Sequence, residues 1–176
     1  MKRMAVLGML LGVLGLLWGC GQEVTVFETV QDSHILSVAA GEPRYRLRVQ
    51  LPEEAGLEQA LSGEYDKVYT KDDGGCTYTM EIVTADSLEL LLTDLTGQPE
   101  ERLTVVQTEA NDMPRYDLCW TAAGEQGEAA CRAAILDDGM HYYVVTASVP
   151  VQQAGLERQS LDALFASMEL YNETGV

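Results

Sequence analysis

Positive charge and histidine are scarce in this 176-residue chain: 11 Lys and Arg stand against 28 Asp and Glu, and there are two histidines, His34 and His141. The net charge of −17 repels the phosphates of nucleic acid and of anionic lipid headgroups. A nucleic-acid partner is therefore excluded, and a polybasic patch cannot be what holds the chain to a membrane. The two histidines offer no His-x-x-x-His spacing, so a zinc site would have to recruit Cys76, Cys119 or Cys131 from a distance. Asp72-Asp73 and Asp137-Asp138 each precede glycine, but they lack the alternating carboxylates and closing glutamate of a calcium loop. Both pairs are expected to form turns. There is no Gly-x-Ser-x-Gly elbow and no Ser-x-x-Lys. Gly74-Gly75-Cys76 follows a turn, where a phosphate loop needs a strand leading into a helix. With 28 acids, no carboxylate pair can be singled out for glycoside hydrolysis. No catalytic residue, metal or cofactor is expected. The enzymatic alternative is a small exported hydrolase of envelope material, which would have to assemble a triad in space around His34 or His141.

What the chain does have is an apolar beginning. Met1-Lys2-Arg3 is a basic tip, and the run Met4 to Leu17 follows for 14 residues, short of the roughly 20 that cross a bilayer core. Gly8, Gly12 and Gly15 weaken it further as a permanent helix. The pattern suits a secretory signal oriented with its basic end in the cytoplasm. Its end, Leu17-Trp18-Gly19-Cys20, resembles the lipobox of bacterial lipoproteins, with an aliphatic residue at 17, a small one at 19 and the cysteine at 20. Trp18 departs from the small or aliphatic residue usual at its place. The resemblance implies that residues 1–19 are removed and that Cys20 carries a diacylglycerol. Two acyl chains anchor firmly where one is marginal. The expected location is the extracytoplasmic face of the cell membrane. An uncleaved signal anchor, or a signal cut elsewhere, is the other reading of the segment.

Loss of Lys2 and Arg3 with the leader leaves 157 residues, nine basic against 28 acidic, a net charge of −19. That length is enough for one domain with a real core, and with 47% apolar residues the chain is globular rather than disordered. Residues 20–43 read as a lipidated N-terminus with a leading strand or linker, holding β-branched runs at 24–30 and 34–38; residues 44–171 read as the folded domain and 172–176 as a tail. Tyr45, Leu47, Val49 and Leu51 alternate with Arg44, Arg46, Arg48 and Gln50, the mark of a half-buried strand. The three arginines share its outer face, either as a solvated face paired with local acids or as a stripe that docks a partner. Pro52-Glu53-Glu54 with Leu57, Ala60 and Leu61 predicts a short helix ended by Gly63.

Strands are predicted over Tyr65–Thr70 and Cys76–Val83, joined by a glycine-bearing turn. Ser87–Thr96 should be an amphipathic helix, with Leu88, Leu91, Leu92 and Leu95 on one side and Gly97 as its stop. Four more strands follow, Leu103–Thr108, Arg115–Thr121, Ala129–Leu136 and Met140–Val149, with connections short enough for an antiparallel meander. A closing helix over Val151–Met168 carries Leu161, Leu164, Phe165 and Met168 at helical spacing. With the hairpin centred on Glu125, Cys119 and Cys131 are equidistant from the turn. They can face each other across it as a disulfide, or stand as two buried free thiols. Cys76 is the odd thiol. Trp120, Tyr116, Tyr142 and Tyr143 either pack the core or line a cleft.

The fold class is α+β, an antiparallel sheet with a C-terminal meander flanked by amphipathic helices. This order of elements, with Tyr142-Tyr143-Val144-Val145-Thr146-Ala147-Ser148-Val149 and the closing helix, resembles the PsbP-like three-layer α/β/α sandwich over about residues 44–171. The resemblance implies a non-enzymatic binding or assembly protein, whose partners would be the membrane, through its lipid, and an envelope protein. A carrier of a small apolar ligand between sheet and helix is a further alternative. The sequence leaves the oligomeric state open.

Overall fold

Strict alternation along two long strands decides the architecture. The computed structural model describes residues 42–71, 75–124 and 127–172; the runs at 24–30 and 34–38, Cys20 and His34 lie outside them. The elements in order are β1 (Arg46–Arg48), β2 (Ala55–Leu57), β3 (Asp66–Lys71), β4 (Cys76–Val83), α1 (Leu88–Thr96), β5 (Val105–Ala110), β6 (Met113–Gly124), β7 (Gly127–Asp137), β8 (Tyr142–Pro150), α2 (Ala154–Ala166) and β9 (Glu169–Tyr171). Seven strands form one antiparallel sheet in the order β2-β3-β4-β8-β7-β6-β5, and β1 pairs with β9 as a separate ribbon.

Successive side chains of β8 point to opposite sides of the sheet. Tyr143, Val145, Ala147 and Val149 enter one core with Leu164 and Phe165 of α2, and Leu47 and Leu170 of the ribbon pack against it. Val144 enters the other core, with Leu91 and Leu92 of α1. Strand β7 repeats the division, sending Ala134 and Leu136 one way and Ala133 and Ile135 the other. The result is three layers: α2 with the ribbon, the sheet, and α1. Each helix has one apolar stripe and each sheet face is apolar, so this stacking covers all of them.

The meander, the β3–β4 hairpin and α1 stand where the sequence places them, within a few residues. Ser87 caps α1 by accepting from the Leu90 amide at 3.2 Å, and Gly97 closes it at φ +66°, a conformation that favours glycine. The predicted closing helix is shorter at both ends: a turn occupies Val151–Gln153, and Met168 leads into β9. Lys71 at the end of β3 ties α2 down through Glu157 at 3.0 Å and also meets Glu54 at 3.0 Å. Arg115 donates to the Phe165 carbonyl at the other end of the helix, at 3.0 Å.

Two expectations are corrected. The short helix predicted after Pro52 is β2 plus a single 3-10 turn, Gln59–Leu61. An isolated helix of that length is marginal, whereas β2 gains the edge of β3, and the Glu58 amide donates to the Val68 carbonyl at 2.8 Å. The strand at Tyr45–Leu51 keeps ladder pairing only over Arg46–Arg48. Its alternation holds all the same, because Tyr45, Leu47, Val49 and Leu51 all pack against the core.

Candidate functional site

The Asp137-Asp138-Gly139 turn carries the one buried polar cluster around a histidine among the described residues. Gly139 sits at φ +85°. Asp137 Oδ1 accepts from the Gly139 amide at 2.7 Å, and Asp138 Oδ1 accepts from the amides of Met140 and His141 at 2.9 and 2.7 Å. Asp138 Oδ2 accepts from the Tyr143 hydroxyl at 2.8 Å, and that hydroxyl accepts from the Tyr45 amide at 3.2 Å. The acid pair therefore builds the turn, with Asp137 Oδ1 and both oxygens of Asp138 engaged by protein donors. Burial, then the hydrogen bond to the Asp138 carboxylate, push the Tyr143 phenol well above its ordinary range, since both disfavour the phenolate.

His141 is 3% exposed, and neither ring nitrogen has a hydrogen-bond partner. Its Nδ1 lies 4.0 Å from Asp138 Oδ1, outside hydrogen-bond range. A general base needs a nucleophile within reach and solvent or substrate beside it, and this imidazole is sealed against both. Among the described residues no group of three His, Cys, Asp or Glu is arranged to hold a metal ion.

Cys119 and Cys131 are free, and they stand on opposite faces of the sheet. The hairpin pairs Gly124 with Gly127, so Cys119 faces Arg132 and Cys131 faces Trp120. The turn centre falls between residues 125 and 126, half a residue beyond the centre that would pair the cysteines. A shift of one in pairing partner changes the side of the sheet, which rules out the bridge in this register. Cys131 is buried beside the Ser148 hydroxyl at 3.6 Å, and burial pushes its thiol up. Cys119 is exposed. Cys76 is buried, its sulfur 3.8 Å from Gln153 Oε1. The aromatic residues mainly pack: Tyr143 belongs to one core, and Tyr116, Trp120 and Tyr142 pack against the other, with Trp120 also contributing to the lining of a hollow beside α2.

The arginine stripe lies on the outer side of the ribbon. Arg44 stands over the Tyr45 ring at 5.9 Å. Arg48 meets Glu169 at 3.1 Å and stacks over Tyr171 at 4.6 Å. Cross-strand from Tyr171, Arg46 turns to a cleft of about 290 Å³ between the ribbon and the sheet. Leu47, Tyr65, Lys67, Met80 and Ile82 line it too. Neither Lys67 nor Tyr171 stood out in the sequence, because their convergence with Arg46 depends on β9, a three-residue strand with no legible period. A second hollow, of about 380 Å³, lies between α2 and the β6–β7 hairpin, lined by Cys119, Ala130, Val149, Ala154 and Leu161. It opens to solvent at Cys119, unlike the closed cavity that carriage of an apolar ligand requires.

The sequence matches no protein-family model and no curated protein. Among solved structures, LpqN of Mycobacterium tuberculosis, a protein involved in cell envelope biogenesis, is similar at 10% identity and a TM-score of 0.51 over 85% of this chain and 99% of that one. A Bacteroides thetaiotaomicron protein is similar at 12% identity and a TM-score of 0.50 over 72% of this chain; the match spans 46% of that longer protein. The cyanobacterial PsbP, CyanoP, of Synechocystis gives 11% identity and a TM-score of 0.47 over 77% of this chain and 97% of that one, too weak to bear on the fold. The first two likenesses show a shared α+β sandwich and nothing of its chemistry.

Proposed function

We propose that this chain is a lipoprotein tethered by Cys20 to the outer side of the cell membrane, and that its PsbP-like sandwich is a non-enzymatic module that binds or helps assemble an envelope partner. The observation that carries the binding role is the stripe of Arg44, Arg46 and Arg48 on the outer side of the β1–β9 ribbon. In a chain of net charge −17 such a stripe draws an acidic surface and sets its orientation, which is what complementary charge does best. The sealed His141 imidazole takes away one of the two histidines on which the hydrolase reading could draw, and so favours the binding role. The fold shared with LpqN is compatible with an envelope role.

Two variants test the two halves of the proposal. Cys20→Ala should move the protein from the membrane to the soluble extracytoplasmic fraction, and unchanged partitioning would refute the tether. Cross-linking on intact cells should trap complexes that the Arg44→Gln/Arg46→Gln/Arg48→Gln variant, still membrane-bound and folded, no longer forms. The same complexes with that variant would refute the docking stripe.

A further inference from the structure

The cleft beside the ribbon has a chemistry of its own, although it takes one residue, Arg46, from the docking stripe. Two cross-strand pairs frame it. Arg46 and Tyr171 are opposite each other in β1 and β9, and Lys67 and Met80 are opposite each other in β3 and β4. Tyr65 is pinned above Ile82, whose amide donates to the Tyr65 carbonyl at 2.8 Å. Leu47, Met80 and Ile82 supply an apolar floor, and Tyr65 and Tyr171 supply two aromatic walls. Arg48, held by Glu169, stacks over Tyr171 at 4.6 Å and fixes that ring. Apart from Tyr65, which immediately precedes β3 and is tied to β4 through its carbonyl, these residues sit on or beside paired strands, so the cleft is formed in advance of any occupant.

Its charge runs against that of the protein. Of 11 basic side chains in a chain of net −17, Arg46 and Lys67 both line this one cleft, with Glu64 as the acid in its lining; Glu64 and, more weakly, Glu42 act on the Tyr65 phenol at its side. Lys67 Nζ donates to the Gly63 carbonyl. An ammonium has three N–H donors and a guanidinium five, so each cation can hold its protein contacts and still bind a carboxylate. The volume, about 290 Å³, is at the small end of ligand pockets, which run from about 300 to 1,000 Å³. A cleft with an apolar floor, aromatic walls and a cationic rim selects a small, flat anion. An inorganic ion would leave the floor uncovered, and a cation would meet Arg46 and Lys67.

We propose that the cleft between the β1–β9 ribbon and the β3–β4 hairpin binds a compact aromatic carboxylate, its carboxyl group at Arg46 and Lys67 and its ring between Tyr65 and Tyr171 above Met80 and Ile82. The site shares Arg46 with the docking stripe but depends on neither docking nor the lipid.

The test is a titration of the full isotope-labelled chain, solubilised in nonionic detergent, with benzoate, followed through its backbone amide resonances. Saturable shifts are expected at Leu47, Lys67, Met80 and Tyr171, with a Kd of about 1 mM or tighter. Benzylamine, of the same shape and opposite charge, and acetate, which lacks the ring, should each bind at least about tenfold more weakly, the equivalent of roughly 1.4 kcal/mol. Lys67→Gln and, separately, Arg46→Gln should each weaken benzoate by a similar factor. The proposal is overturned if benzoate gives no saturable shift in this region, if benzylamine or acetate binds as well as benzoate, or if the shifts gather instead at the Cys119 hollow. The comparison of the three probes needs no variant, so a misfolded substitution would not decide it.

Discussion

Replacing Tyr143 with phenylalanine removes one oxygen from the middle of the cluster that joins the sheet to the ribbon. Tyr143 is fully buried. Its hydroxyl donates to Asp138 Oδ2 at 2.8 Å and accepts from the Tyr45 amide at 3.2 Å. The first bond has a carboxylate as acceptor, and such bonds contribute about 1.5–3 kcal/mol; the second is neutral and contributes about 1 kcal/mol. Phenylalanine fills the same space, so little cavity cost is added. The sum places the loss at roughly 2.5–4 kcal/mol, a large share of the 5–15 kcal/mol that holds a typical domain. Urea unfolding of the detergent-solubilised chain, followed by circular dichroism, measures it. Asp138→Ala and the double variant complete a cycle, in which the coupling between the two side chains should be about 1–3 kcal/mol. Because Tyr45 immediately precedes β1, the amide signals of Arg46–Arg48 should also shift in Tyr143→Phe. A loss below about 0.5 kcal/mol with no coupling would refute the claim that this hydroxyl links ribbon to sheet.

The remaining predictions concern other parts of the fold. In the Cys20→Ala variant, one thiol, Cys119, should react quickly with a disulfide reagent under native conditions, while Cys76 and Cys131 react only on unfolding; a fast reaction of two thiols would contradict the faces assigned from the register. The Glu81 carboxyl is held above its ordinary range by burial and then by Asp66, its cross-strand partner, and Asp94. The stability this gives is fully present below the unfolded carboxyl's pKa and is lost as pH rises through the folded one. Glu81→Gln should therefore be more stable than the parent at neutral pH, by a few tenths to about 1 kcal/mol, the range for like charges placed opposite each other in a sheet. The advantage should vanish in acid, and equal thermal stability at neutral pH would contradict it. Ser87→Ala should cost about 1 kcal/mol by removing the cap of α1, and Ser87→Asp should restore it; thermal unfolding checks both.

Much of the fold was legible because alternation of period two and stripes of period 3.6 are properties of the sequence itself. Leu91, Leu92, Leu164 and Phe165 announce the core sides of α1 and α2, and Tyr143 to Val149 announce the strand between them. What was hidden has physical reasons. Strands β2 and β9 have three residues each, too few to show a period, and β9 pairs with a strand on the far side of the chain. The cysteines turned on parity: a half-residue displacement of the hairpin centre exchanges facing partners for opposite faces. The arginine stripe was visible because it interleaves with Tyr45, Leu47 and Val49. The cleft beside it was not, because Lys67, Tyr65 and Tyr171 meet Arg46 through tertiary pairing alone.

The central claim is that this acidic sandwich is held outside the cell by lipid on one cysteine. Mass spectrometry of the N-terminal peptide of the protein purified from its native membranes measures this directly. The account predicts a peptide that begins at Cys20 and carries the mass of a diacylglyceryl group on its sulfur. A peptide that begins at Met1, with Cys20 unmodified, would contradict it.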